Sequence, residues 1–280
     1  MNPLYRLSTL TAVDGDTLVT HDWSLPAGVP PRATVIVVHG LGEHAGRYAH
    51  VAQALNRWGY TVRSYDQVGH GQSAGVQGGL PSDTRLLDDL ADVIDSTRSR
   101  MPASAPLILL GHSMGGLVAG RFVSLQIRPV DALVMSSPAL NPGLSAFQKF
   151  LVGTLPQFVP NLRVGNGLKP QYISHDPDVV AAYLADPLVH DRISARLAQF
   201  IADAGPATVA MAAQWTVPTL LMYAGADKLL NPQGSRDFSA AAPHNMVQAV
   251  CFENLYHEIF NERDAAAVFE TLRTWLDTRF

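Results

Sequence analysis

A chain of 280 residues that is 47% hydrophobic and 16% charged can bury one sizeable core, and it carries too little charge to stay unfolded. Twenty Lys and Arg stand against 24 Asp and Glu, a formal charge of −4. With no basic run and no stripe of cations interleaved with aromatics, nucleic acid is excluded as a partner.

In chain order, residues 1–6 lack the charged start, apolar block and small-residue cleavage site of a secretory signal, so a reducing, cytoplasmic setting is expected. Residues 7–25 hold two strand-like stretches around Asp14-Gly15, a dipeptide suited to a tight hairpin turn, and predict an antiparallel edge. From Thr34 onward short apolar runs alternate with helix-period segments, the pattern of a mostly parallel sheet covered by helices on both faces. Thr34–Val38 is the first buried strand; Tyr48, Val51, Ala52 and Leu55 then fall at helical spacing up to Gly59, a natural C-terminal stop. A strand is predicted at 60–65. Ser82 is expected to cap a helix whose Leu86, Leu87, Leu90, Val93 and Ile94 form one apolar face. Further strands are predicted at 107–110, 130–135, 219–223 and 247–252, and an amphipathic helix at 264–276. The apolar stretch 217–226 is of strand length and contains a proline, and none approaches the roughly 18 to 20 residues that cross a bilayer. Cys251, the single cysteine, cannot form an intramolecular disulfide and reads as a small buried residue of its strand.

Between about Leu140 and Gly205 the alternation stops: no convincing strand is present, and proline, glycine and aromatics punctuate short helical pieces. The organisation expected is a core at 1–139 and 206–280, with 140–205 inserted as a mainly helical cap. Ligands of open α/β sheets bind beyond the strand C-termini, so the cap would lie over the site. Phe147, Phe150, Leu151, Leu155, Phe158 and Val159 are candidates for its apolar underside, although residues at helical spacing more often serve packing.

The chemistry concentrates at Leu107-Ile108-Leu109-Leu110-Gly111-His112-Ser113-Met114-Gly115-Gly116, an apolar strand running through Gly-x-Ser-x-Gly into a helix. A serine on so sharp a turn is exposed at a strained backbone, and Gly111 and Gly115 leave room for the neighbouring chain. A serine hydroxyl is a weak nucleophile at neutral pH; it needs a histidine in hydrogen-bond reach and an acid to orient that histidine. In such a fold they follow in the chain order Ser, Asp, His. Asp227 follows the strand and turn Leu220-Leu221-Met222-Tyr223-Ala224-Gly225-Ala226, and His257 lies in the loop after the last strand, so Ser113, Asp227 and His257 are the candidate triad. The oxyanion formed on attack requires amide donors. Met114 follows the nucleophile, and Leu41 lies in the loop after the first parallel strand, where Gly40 relieves crowding. His39, His44 and His50 match no common ligand spacing, and no metal site is expected. His70, His112 and Asp66 read as anchors of loops around the elbow rather than proton carriers.

His39-Gly40-Leu41-Gly42-Glu43-His44, Arg47-Tyr48, Asp66-Gln67-Val68-Gly69-His70-Gly71-Gln72-Ser73 and the elbow together resemble the monoacylglycerol lipase and lysophospholipase branch of the α/β-hydrolases, with a serine aminopeptidase S33-type hydrolase domain. Asp186-Pro187-Leu188, Ala224-Gly225-Ala226-Asp227 and Tyr256-His257-Glu258 extend the resemblance over nearly the whole chain. It implies the α/β-hydrolase fold, the same triad and oxyanion amides, no cofactor, an apolar acyl tunnel under the cap and a small polar end for glycerol or a similar head group. The expected activity is a serine carboxylester hydrolase for monoacylglycerols or other single-chain lipid esters, with peripheral membrane or micelle contact through the cap and no obligate protein partner. A lysophospholipase, a general esterase, a perhydrolase and an acyltransferase share these residues; a non-catalytic ligand-binding homologue is the rival from another class. The stretch 141–169 departs most from the family pattern, and there chain-length and head-group choice would be set.

Overall fold

The structure, a computed structural model, describes residues 4–280; residues 1–3 and the side chains of Leu4, Phe147 and Lys149 lie outside the described residues. Strands β1 (Leu4–Thr11) and β2 (Thr17–Ser24) form the antiparallel hairpin. Its turn is longer than a two-residue loop: residues 12–16 close through Ala12 N–H to Asp16 O, with Gly15 at φ +93°. Then come β3 (Thr34–Val38), α1 (Ala49–Arg57), β4 (Thr61–Tyr65), α2 (Arg85–Arg98), β5 (Leu107–His112), α3 (Met114–Ser124) and β6 (Ala132–Ser136). After the intervening segment follow β9 (Thr219–Ala224), α7 (Gln233–Ala241), β10 (Val247–Phe252) and α8 (Ala266–Asp277). The sheet runs β1-β2-β4-β3-β5-β6-β9-β10, parallel from β4 onward.

Strand periodicity divides the core. Ile36, Val38, Leu107, Leu109, Leu133 and Met135 face α2 and α3, whereas Val35, Val37, Ile108, Leu110 and Val134 face α1 and α8. Burial of both faces explains why these strands read as continuous apolar runs. Ser82 is not the cap of α2: the helix begins at Arg85 and Thr84 occupies the N-cap position. The Thr84 hydroxyl donates to Asp88 instead, while buried Arg85 binds Asp89 and, across the turn, Asp14 and Asp16 of the hairpin loop. Two of these ion pairs tie the first residue of α2 to a hairpin remote in sequence.

The intervening segment holds α4 (Ala146–Phe158), β7 (Arg163–Gly165), α5 (Pro177–Ala185), β8 (Arg192–Ser194) and α6 (Ala195–Ala210). It is not strand-free: β7 and β8 pair antiparallel, Arg163 opposite Ser194 and Gly165 opposite Arg192. Three residues per strand, with β7 fully exposed, leave no alternation for a sequence to display. Ser145 and Gln148 form a capping box at the start of α4. Helix α6 runs unbroken through Gly205 and returns the chain to its point of departure, because a Cβ at Gly205 would lie 2.6 Å from the Leu140 carbonyl oxygen.

Candidate active site

Four loops at the C-terminal ends of β3, β5, β9 and β10 meet at one place. Between β5 and α3, Ser113 has φ 53° and ψ −119°, a left-handed backbone rare for a side chain other than glycine. The flanking glycines make this turn possible: a Cβ at Gly115 would stand 2.1 Å from the Val38 carbonyl oxygen, and one at Gly111 would stand 2.3 Å from that of Gly115. At Gly40 the added atom would lie 2.8 Å from Glu43 and 3.2 Å from the Ser113 Cβ, so this glycine opens space beside the serine.

The structure brings Ser113, Asp227 and His257 together. His257 Nδ1–H donates to Asp227 Oδ2 at 2.6 Å, which leaves Nε2 to accept from the Ser113 hydroxyl at 2.8 Å. Asp227 is held in turn by the N–H groups of Leu229 and Leu230, which donate to Oδ1 at 2.8 and 3.0 Å. Burial pushes the His257 imidazole toward lower pKa, but the Asp227 carboxylate, with Glu258 and Glu43 beyond it, outweighs burial and holds it above its ordinary value. Burial raises Asp227 and the facing imidazole more than offsets this, so its carboxyl lies below the usual range. The chain of hydrogen bonds can take a proton from the serine and return it to a leaving group.

Leu41 and Met114 border the same cavity as Ser113. Among the described residues neither N–H is bonded to another backbone group, and the Met114 amide stands in the first turn of α3, where the helix dipole favours negative charge. The cavity encloses about 500 Å³. Its walls are Leu151 and Leu155 of α4, Leu162, Leu168, Ile193 and Ile201 of the intervening segment, and Leu229 and Leu230 of the core. Among the described residues no charged side chain lines the cavity. Of the other expected underside residues, Phe150 and Phe158 turn outward, 64% and 81% exposed, and Val159 is also exposed. Helix α4 is apolar on nearly every side, so its sequence could not tell the inner face from the outer.

A buried ionic bridge that sequence reasoning did not assign lies behind the loop of Leu41. Glu43 accepts from the Gly40 amide at 2.5 Å and from the Tyr48 hydroxyl at 2.6 Å, and it binds Arg47. Arg47 also grips Glu258, next to His257, through two hydrogen bonds of 2.8 Å, and its guanidinium lies 4.8 Å from the Tyr183 ring of α5. Burial alone would raise Glu43, yet Arg47 chiefly, with His112 and His39, holds its carboxyl well below the usual range. The partners are 211 residues apart, a pairing no spacing rule finds, although all three lie in the motifs that carry the family resemblance.

His39, His44 and His50 take separate partners: Gly40 O, Asp186 and Phe260 O. Among the described residues no group of three or more His, Cys, Asp or Glu could hold a metal ion. Asp66 accepts from the amides of Ala45 and Gln72, His70 bonds the Val68 carbonyl, and His112 bonds Ser136 while its ring lies 4.8 Å from that of His257. Cys251 is half-buried rather than enclosed, because β10 is the sheet's last strand. Among the described residues no helix is long and apolar enough to cross a membrane.

Comparison with known proteins places these features in a wider set. Residues 29–264 match the family model described as serine aminopeptidase, S33. The monoacylglycerol lipase of Mycolicibacterium smegmatis is 32% identical over 96% of this chain and 95% of its own length. An abhydrolase domain-containing protein of Dictyostelium discoideum is also 32% identical over 98% of this chain, which spans only 29% of that protein. Among solved structures, the monoacylglycerol lipase of Paleococcus ferrophilus superposes with a TM-score of 0.82 at 31% identity, covering 98% of this chain and all of that one.

Proposed function

The chain belongs to the serine aminopeptidase S33 family of hydrolases, and from that premise we propose that it is a monoacylglycerol lipase-like carboxylester hydrolase acting through an acyl-enzyme. Ser113 is the nucleophile, His257 the base and then the acid, Asp227 the group that orients it, and the amides of Leu41 and Met114 the oxyanion donors. His257 Nε2 takes the hydroxyl proton as Ser113 Oγ attacks the ester carbonyl. The resulting oxyanion accepts from the two amides, and the imidazolium protonates the departing alcohol. Water, activated by the same Nε2, then attacks the acyl-enzyme and frees the fatty acid and the serine.

One observation carries this reading: the 2.6 and 2.8 Å hydrogen bonds from Asp227 through His257 to Ser113 end at an uncharged, largely apolar cavity of about 500 Å³. Each methylene buried there contributes about 0.8 kcal/mol, which favours an acyl chain. The α-ammonium of a peptide would find no carboxylate among the described residues of the cavity's walls, so a lipid ester is preferred to an aminopeptidase substrate despite the family's name. We assign 140–205 to the cap over the core, Phe150 and Phe158 to contact with micelles or membranes, and the cytoplasm as the compartment in keeping with a lone cysteine.

The test is turnover of monoacylglycerols, lysophospholipids, p-nitrophenyl esters of rising chain length and an amino-acid nitroanilide, beside Ser113→Ala. A maximum on medium or long monoacylglycerols, lost in the variant by at least about 1000-fold, is the expected result. A maximum on lysophospholipids would replace the head group, and activity on the nitroanilide alone would overturn the esterase reading.

A further inference from the structure

The loop from Gly40 to His44 carries the Leu41 amide between two glycines, so nothing in its own backbone holds that amide in one direction. From the core side the Glu43 carboxylate binds the Gly40 N–H. From the other side a single stretch of the intervening segment, 186–192, grips the loop at both remaining points. The His190 N–H donates to Gly42 O at 2.9 Å, and the two backbones run so close that a Cβ at Gly42 would lie 2.4 Å from the His190 carbonyl oxygen. Two residues on, His44 Nδ1 accepts from the Gly46 N–H at 3.2 Å, which makes Nε2 the protonated atom that donates to Asp186 at 2.8 Å.

The His190 ring extends the grip. Its Nε2–H donates to Gly69 O at 3.1 Å and its Nδ1 accepts from the Arg192 N–H at 3.2 Å. It stands 4.8 Å from the ring of His70, which stands 5.3 Å from that of His39, and His39 donates from Nδ1 to Gly40 O. Three neutral rings therefore run from the cap segment to the residue at which the loop leaves β3. Burial holds all three below the ordinary histidine value, as a row of neighbouring uncharged imidazoles, tilted 56° and 43° to one another, requires.

We propose that Asp186 and His190 are positioning residues for the oxyanion donor: the cap segment 186–192, seated on the loop, holds the Leu41 amide where the developing oxyanion forms. The cap then does more than cover the acyl chain, since displacement of this segment also slackens one of the two donors. The inference rests on the assignment of the Leu41 amide made above.

Asp186→Ala removes the contact to His44, and His190→Phe keeps a ring while removing both of its nitrogen contacts; His190→Gln restores a donor near Nε2. The readouts are kcat and KM for p-nitrophenyl butyrate and for a medium-chain monoacylglycerol, per active site titrated to completion with a fluorophosphonate. The butyrate is decisive, because its acyl group is too short to need the cap's apolar wall. Full loss of an oxyanion donor costs about 100-fold to 1000-fold, so a slackened one is expected to lower kcat about tenfold on both esters. KM should stay within about twofold, and His190→Gln should regain most of the loss. An unchanged kcat per titrated site, whatever the melting temperature does, or a change confined to KM, overturns the proposal. A parent chain with no Ser113-dependent turnover of either ester overturns the functional reading as well, and so separates the two failures.

Discussion

At the scale of single residues, the pair Asp227 and His257 makes the sharpest prediction. Because burial is outweighed by the Asp227 carboxylate, His257 stays protonated to a higher pH than an ordinary histidine, and only its neutral form can accept the Ser113 proton. The acid limb of kcat/KM should therefore have its midpoint above 6.5. Asp227→Asn removes the charge that raises it, so the midpoint moves to lower pH while kcat falls by about 10⁴, as expected when the imidazole loses its oriented tautomer. A pH-rate profile of both proteins checks this, and a midpoint that does not move would show that Asp227 does not set it. Ser113 was legible because only glycines fit around its turn, and Asp227 and His257 because each follows a strand in a required order. Arg47 carried no such signal. Its partners, Glu43 and Glu258, are joined by folding alone, and no periodicity or spacing connects residues on two remote loops.

At the scale of the element, α4 shows how one helix divides its labour. Leu151 and Leu155 wall the cavity, while Phe150 and Phe158 are 64% and 81% exposed. Large apolar side chains grouped on one surface mark a contact with another apolar phase. Phe150→Ser with Phe158→Ser is expected to lower activity on long monoacylglycerols presented in vesicles by about three- to tenfold, with turnover of a soluble short ester within about twofold; equal losses on both substrates would refute interfacial contact. Sequence patterning found α4 but not its orientation, since apolar residues occur around most of its circumference. For the opposite reason β7 and β8 escaped notice, being too short for any pattern. The start of α2 was misplaced because Arg85 answers to a hairpin some 70 residues away rather than to Ser82.

At the scale of the whole molecule, buried histidines govern the response to acid. Burial holds His39 below its ordinary value, His70 at about 3 and His112 at about 4, so all three are neutral in the folded state where an unfolded histidine is charged. Their contribution is complete above pH 6.5 and is lost as pH falls below it, for His70 and His112 through 6 and 5 by about 1.4 kcal/mol per pH unit each. Asp89, raised to about 6 by burial, opposes this by one proton between about pH 4 and 6. Asp66 and Glu43, both held down at about 2, extend the loss below pH 4. His257, held above its ordinary value, opposes the loss near neutral pH, so urea midpoints should decline from about pH 6 to 4.5, and a flat profile there would contradict the burial of these rings. Most of the alternation of strands and helices that builds this core was readable, because burial on both sheet faces writes itself as apolar runs; α7 was not, its short polar sequence showing no apolar face. The contact of Gly205 with Leu140 has a different kind of consequence. Two stumps that touch can be joined by a short bridge or a long one without disturbing anything beneath them. If 140–205 is the cap proposed above, the hydrolytic machinery can remain unaltered while that piece is traded, shortened or enlarged, so new substrates become reachable by exchange of a single part.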